Sequence, residues 1–329
     1  MPHQVRRDSP MTRLDLALFR ERADEFAGAV RATPEVAPFC SGPVWQLAAH
    51  DALHQREETT PSLIVEEEGT WLAFVRTNRS VFGPMEAAWG FGCPLVGEPS
   101  AAVALLRKAA ASLLFRPVGF LITGIRSEGA LYRELRGMED EFLRFEEFET
   151  TDCMTIDLSE GVDAWRERRS KKFRRTIRGA GIPHDIAIED GRDLDCDEVF
   201  DRILAIQRSS HKWESGTDIF LMDEYETFYR MLWTRLRERG EGRLLFARHG
   251  RFDVAYILGG VSGDGYRGFQ MSYRESVRSL GLGNALQLEN MRRVADEGIA
   301  RYDLGMHAAY KERWADEWEE YTGVFVVFG

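Results

Sequence analysis

The chain has 329 residues, 44% of them hydrophobic and 29% charged, with 54 acidic against 43 basic side chains and a net charge of −11. That length suits two domains of ordinary size, each with its own core, and the composition is that of a globular chain without an apolar run long enough to cross a bilayer. The acidic balance argues against wholesale coating of nucleic acid.

Residues 1–7 carry charge but no apolar stretch and no small-residue cleavage site, so no export signal is expected and a cytoplasmic protein is. Cys40, Cys93, Cys153 and Cys196 lie far apart and outside any zinc-type spacing, so they are expected to be reduced and structural, with no metal. Apolar side chains recur at helical spacing over residues 13–31, until Pro34 and Pro38 end the pattern. Residues 44–55 predict a second helix. Residues 62–66 and 70–76 predict two strands of a hairpin around a Gly-containing turn. A helix over 100–114, a buried strand over 118–122 and a helix over 129–135 complete a mixed first half. The acidic stretch 139–151 then leads into an apolar strand at 154–158, which places the boundary near residue 150 and gives domains 1–150 and 151–329.

The second half opens with a basic run, 165–178, in which Trp165, Phe173 and Ile177 share a helical stripe and eight cations share the rest. A solvated helix face and an anion-binding face both fit that pattern. Beyond it the spacing predicts a strand at 186–188, helices over 197–213 and 223–239, and three short-turned strands at 243–248, 254–261 and 266–273. A helix over 285–297, a strand at 301–305, a helix over 309–314 and a last strand at 323–328 follow.

Between the third of those strands and the next helix lies Arg278-Ser279-Leu280-Gly281-Leu282-Gly283-Asn284. Glycines at this spacing let successive backbone N–H groups turn inward as an anion cradle, and the following helix aims its positive end at the same place. Arg278 adds a fixed cation. A plain tight turn before a helix is the other reading of the same residues.

The order of elements together with Arg-x-x-Gly-x-Gly resembles the GNAT superfamily of N-acyltransferases, in which that loop holds the pyrophosphate of coenzyme A. Four further pieces resemble the subset containing CelD-type acetyltransferases and Fem-type aminoacyltransferases. They are Ser170-Lys171-Lys172-Phe173-Arg174, Ser210-His211-Lys212-Trp213 with Gly216, Asp303-Leu304-Gly305, and Tyr310-Lys311 with Trp314. The resemblance spans about residues 154–320. It implies an α/β protein with a GNAT fold in the C-terminal half, a mixed and mostly antiparallel sheet flanked by helices, and an N-terminal domain that is a degenerate GNAT-like copy walling the acceptor pocket.

Fem-type enzymes take an amino acid from tRNA and need no coenzyme A loop, whereas this chain carries the full motif. The resemblance therefore implies an acyl-CoA donor and a small amine or amino acid as acceptor. An aminoacyl-tRNA-dependent Fem-like transferase is the alternative, and a non-catalytic acyl-CoA-binding protein a third.

Within the superfamily the pantetheine arm runs between the fourth and fifth strands, here residues 268–273 and 301–305, with backbone N–H groups near Met271 and Tyr273 facing the acyl carbonyl. The expected cofactor set is thus Met271, Tyr273, Arg278, Ser279, Leu280, Gly281, Leu282, Gly283 and Asn284. Tyr310 matches the position from which a phenol protonates the departing sulfur, and Lys311 the position of a cation that steadies developing negative charge. For the base, Asp303 at a strand end and His307 four residues on are candidates, although a strand-end Asp also serves as a helix cap and a lone His is often structural. His211 and Trp213 are expected at the acceptor site, and Lys172 and Arg175 of the basic run at anionic groups of the substrate.

Overall fold

The computed structural model describes residues 11–54, 62–86, 89–149, 152–179 and 181–329. Residues 1–7, Gln55 and Thr151, read above for an export signal, a helix end and the close of the acidic stretch, lie outside them. The chain divides into two compact units, one of residues 1–151 with 320–329 and one of residues 152–319.

The first unit is one twisted sheet in the order β1-β2-β3-β4-β6-β15-β7, with the two-residue β5 beside β3. Its strands are β1 (Thr12–Leu14), β2 (Ser62–Glu67), β3 (Thr70–Asn78), β4 (Val81–Pro84), β5 (Leu95–Val96), β6 (Val118–Arg126) and β7 (Arg144–Glu149), followed much later by β15 (Tyr321–Phe328). The expected hairpin is β2–β3, closed by Glu68 and Gly69, both at positive φ (50° and 81°) as a two-residue turn that matches strand twist requires. Helices Pro43–Leu53, Pro99–Ser112 and Ala130–Gly137 follow the sequence reading closely. The opening helical stretch instead gives β1 and then two short helices, Leu16–Glu21 capped by the Asp15 carboxylate and Ala23–Arg31. The acidic stretch contains β7, an outer strand whose charged side chains guard an open sheet edge and hide its strand character from a hydrophobicity pattern.

The second unit has the order β14-β8-β13-β12-β11-β10-β9. Its strands are β8 (Cys153–Asp157), β9 (Ile186–Asp190), β10 (Gly242–His249), β11 (Phe252–Ser262), β12 (Gly265–Tyr273), β13 (Arg301–Met306) and β14 (Glu317–Glu319). Every neighbouring pair is antiparallel except β12–β13. The first sheet repeats this plan, a run of antiparallel strands, one parallel pair (β4–β6), then antiparallel strands again.

Three expectations in this half need correction. The last strand was expected to extend the second sheet, but β15 lies between β6 and β7 and buries Val324, Val326 and Phe328 in the first core. The corresponding place in the second sheet, beside β13, is taken by β8, which precedes the rest of the unit in the chain. The expected helix over 309–314 is a run of turns, with Lys311 N–H donating to Ala308 O (2.7 Å) and Trp314 N–H to Lys311 O (2.8 Å). The stretch 197–213 also breaks, into Cys196–Gln207 and a short helix His211–Glu214 capped by the Ser210 hydroxyl, which accepts from Trp213 N.

Candidate active site

The site originates where the parallel pair ends. β12 and β13 are in register only at Gly265–Arg301, Tyr266–Tyr302 and Arg267–Asp303. Beyond these, β12 stays with β11, while β13 turns away through Gly305 at φ 80°. Phe269 is the extra residue of a bulge, because Gly268 pairs with Gly259 and Gln270 with Leu258, and a bulge bends its strand and re-aims the residues after it. The gap opens into a cavity of about 470 Å³ lined from both strands, by Gly268, Gln270, Met271 and Tyr273 on one side and Leu304 on the other.

The free edge of β12 can be read residue by residue. Arg274 N donates to Val254 O on β11 (2.8 Å), so in an antiparallel ladder Ser272 and Gln270 also face β11, and Met271 and Tyr273 face the gap. Lys212 confirms the direction for Met271, since its Nζ donates to Met271 O at 3.2 Å. In an extended strand a residue's N–H and C=O point the same way, so the Met271 N–H is presented to the cavity.

The glycine loop closes one end of this cavity. Gly281 sits at φ 65°, ψ 25°, the left-handed conformation, immediately before the helix Leu282–Asp296. As the first two residues of that helix, Leu282 and Gly283 have N–H groups with no carbonyl one turn earlier inside it. At Gly283 an added Cβ would come no nearer than 3.6 Å to Met271 Cε and to the Tyr273 ring, so the protein's own packing does not require glycine there. The space the missing side chain leaves is cavity. Arg278, Gly281, Gly283 and Asn284 line it. Leu282 instead turns its side chain into the core, and Ser279 and Leu280 are exposed outside the lining. Arg278 is held by Glu275, its NH1 3.0 Å from Oε1.

Tyr310 and Lys311 enter from the turns after β13 and both line the cavity. Lys311 Nζ donates to Met306 O at 2.7 Å. Its burial, reinforced by the nearby Arg267 cation, pushes its pKa down to about 8. Tyr310 is half exposed, and the burial of the remainder raises its phenol, which keeps it protonated at neutral pH.

Asp303 does not line the cavity. It is a buried partner of Arg267, with Oδ2 accepting from NH1 at 2.6 Å and Oδ1 accepting from Gly305 N at 2.7 Å. Burial alone would raise its carboxyl, but the guanidinium of Arg267, with Arg301 beyond, outweighs that and holds it below the ordinary carboxylate range. Its geometry is that of an anchor which fixes the point of strand separation, and neither a free base nor a helix cap. His307 is also outside the cavity, exposed, tilted at 47° against Trp318 with 4.7 Å between ring centres and 3.1 Å from Glu312. His211, Trp213, Lys172 and Arg175 are absent from the lining as well, whereas Lys212, between the first two, is part of it. Sequence reading passed over Lys212, although it was one of few lysines in a motif already singled out.

Residues 166–314 match the family model described as "Acetyltransferase (GNAT) domain". Among solved structures the chain is similar to one described as FemX, at 10% identity and TM-score 0.67, with 96% of this chain and 97% of that one covered. The chain has a GNAT fold in its tandem, Fem-like form. A tandem GNAT protein from the clavulanic acid biosynthesis pathway aligns at 14% identity and TM-score 0.51 over 97% of both chains. The L-PGS structure from Bacillus licheniformis aligns at 12% identity and TM-score 0.55 over 92% and 91%. At such identities these likenesses carry the fold and not the substrate. No curated protein matches the sequence. Among the described residues, no helix is long and apolar enough to cross a membrane, and no group of three His, Cys, Asp or Glu side chains is placed to hold a metal ion.

Proposed function

We propose that the second unit is an acyl-CoA-dependent N-acyltransferase acting on a small amine or amino-acid-type acceptor. The observation that carries the reading is convergence on one cavity. The glycine loop, the unpaired edge of β12, Tyr310 and Lys311 all open on the same 470 Å³ space. The N–H groups of Leu282 and Gly283 and the Arg278 guanidinium would hold the pyrophosphate, in a cradle that a Cβ at Gly283 would fill.

The Met271 N–H, aimed into the gap, is placed to donate to the thioester carbonyl as it gains negative charge, and the Lys311 cation adds to that field. Attack by the acceptor amine forms a C–N bond and breaks the C–S bond. The amine gives up one proton to solvent and the departing sulfur takes one, which the protonated Tyr310 phenol is suited to supply and then regains from solvent. Calorimetry with coenzyme A is the direct test. Binding by the wild type that is lost in Gly283→Val supports the reading, and equal affinity for the two proteins overturns it.

One observation favours an aminoacyl-tRNA donor instead. The helix Lys171–Gly179 buries Phe173 and Ile177, while Lys171, Lys172, Arg174, Arg175 and Arg178 have no ion-pair partner among the described residues. Turnover abolished by ribonuclease and restored by charged tRNA would select that donor.

A further inference from the structure

The cavity's charge is one-sided. Lys212, Arg278 and Lys311 line it, and among the described residues that do so none is an Asp or a Glu, in a chain where acids outnumber bases by 54 to 43. Arg278 has Glu275 at 3.0 Å, but the two lysines hydrogen-bond only to carbonyl oxygens, Met271 O and Met306 O, and Lys311 also lies 5.8 Å from the centre of the Tyr310 ring. Neither of the acids nearest them forms an ion pair with a lysine. Asp303 is bound to Arg267 and Gly305. Asp218 accepts from Phe220 N through Oδ1 at 2.9 Å, while its Oδ2 is buried without a partner, and it makes no ion pair with Lys212. Two ammonium groups thus line one cavity, Lys311 within the field of Lys212, with no acidic side chain among the described lining residues. An ammonium has three donors, and one is used on each lysine. Such a site suits an anion, because two cations with free donors face the same space and a charge-assisted hydrogen bond is stronger than a neutral one.

The donor leaves room for a second anion at Lys212. Its phosphates belong at the loop, to which the short helix His211–Glu214 contributes nothing, and its carbonyl belongs at the Met271 N–H. We propose that Lys212 is the acceptor-recognition residue, its ammonium binding a carboxylate that the acceptor carries one carbon away from its reacting amine, so that the acceptor is an α-amino acid and not a simple amine. The short spacing follows from Lys212 being hydrogen-bonded to Met271 itself, the residue whose N–H faces the reacting carbonyl. An anion on Lys212 is therefore beside the point of attack. A carboxylate at the far end of a long side chain would have to fold back to reach it. Lys212 keeps much of its side chain exposed, and desolvation of the rest lowers its pKa, with Asp218 pulling the other way.

This inference rests on the acyl-transfer reading, and two measurements keep their failures apart. The first is release of free thiol from acetyl-CoA with L-amino acids and with the matching amino-acid amides, in wild type and Lys212→Met. Loss of one charge-assisted hydrogen bond predicts a wild-type preference for acid over amide of about 10- to 100-fold in kcat/KM. That preference should shrink at least tenfold in Lys212→Met, chiefly through KM, and be partly restored in Lys212→Arg. The second is calorimetry of the same acids and amides without acetyl-CoA, with coenzyme A affinity of Lys212→Met as a control for folding. Amides accepted as well as acids by the wild type, or a preference unchanged by Lys212→Met, would overturn the proposal. If no thiol is released with any compound, yet acids and not amides bind and the difference vanishes in Lys212→Met, the donor assignment falls and the carboxylate site stands.

Discussion

Lys311 offers a prediction in which stability and mechanism are coupled. The group is drawn from 10.5 down to about 8 by burial and then by Arg267, with Asp303 and Cys153 pulling the other way and Lys212 adding to the fall. Between these two values the unfolded chain holds a proton that the folded one has released. Stability therefore rises with pH across this window. Below about pH 8 both states are protonated and the folded protein bears the whole cost, which linkage sets at about 3 kcal/mol as an upper figure, less the hydrogen bond to Met306 O that offsets part of it. Lys311→Met removes the ammonium, so at pH 7 the variant should be more stable than the wild type by about 1–3 kcal/mol. That advantage should fade between pH 8 and 10.5. Chemical denaturation of both proteins at pH 7, 8, 9 and 10 gives a difference curve from which other titrating groups cancel. A flat difference would refute the desolvated-lysine account. The same variant should lose activity below about pH 8, where the wild type carries the cation, and the difference between the two should narrow above it.

Gly283 is a cleaner probe of the loop than Gly281, because a branched residue at φ 65° would add about 1–3 kcal/mol of backbone strain to any effect on the ligand. Gly283→Ala should keep its melting temperature, its Cβ being in ordinary contact at 3.6 Å, and still bind coenzyme A at least tenfold more weakly by calorimetry. Tyr310→Phe should lower kcat by about 10²-fold with little change in coenzyme A affinity, and near-native turnover would return Tyr310 to a packing role. Deleting residues 320–329 should unfold the first unit, since β15 is an interior strand of its sheet, and leave every strand of the second sheet in the chain. Hydrogen exchange that stayed slow throughout β6 and β7 in the truncated protein would contradict the strand order.

The elements that were legible are those whose local signals agree with their final surroundings. The hairpin β2–β3 has a Gly-containing turn and two apolar strands buried together, and the stripe Trp165, Phe173, Ile177 is buried as its spacing required. The loop was legible because glycine at 281 serves a backbone conformation that other residues rarely adopt. What was missed depended on partners distant in sequence. β7 reads as an acidic loop because only one of its edges is paired, and β15 carries no mark of which sheet it joins. In the site, Asp303 looked available because nothing in the local sequence announces Arg267, 36 residues earlier, as its ion-pair partner. Lys212 was overlooked for the opposite reason, its aromatic and imidazole neighbours being the more conspicuous chemistry.

The Arg267–Asp303 pair bears on why the cavity lies where it does. A parallel pair of strands would ordinarily continue its ladder, and here it stops after three residues at the position where these two side chains meet. Both are nearly fully buried, and removing either would leave an uncompensated charge at a cost of about 3–5 kcal/mol. A buried pair of this kind is a weak source of net stability, but it specifies geometry. Asp303 spends its second oxygen on the N–H of Gly305, whose φ of 80° carries β13 away, and Arg267 directs its NH1 also toward Cys153 on β8. The ion pair thus ties three strands together at the vertex of the gap, and Asp303 supplies its anion. Asp303 also excludes itself from proton transfer, because a carboxylate with both oxygens engaged and its pKa held low is a poor base. Asp303→Asn tests this separation of roles. Amide nitrogen and oxygen can still bond, but the charge is lost, so the expected result is a protein destabilised by several kcal/mol whose surviving folded fraction keeps an unshifted pH profile of kcat. A profile whose acidic limb disappears in Asp303→Asn, with stability unchanged, would make Asp303 the base after all.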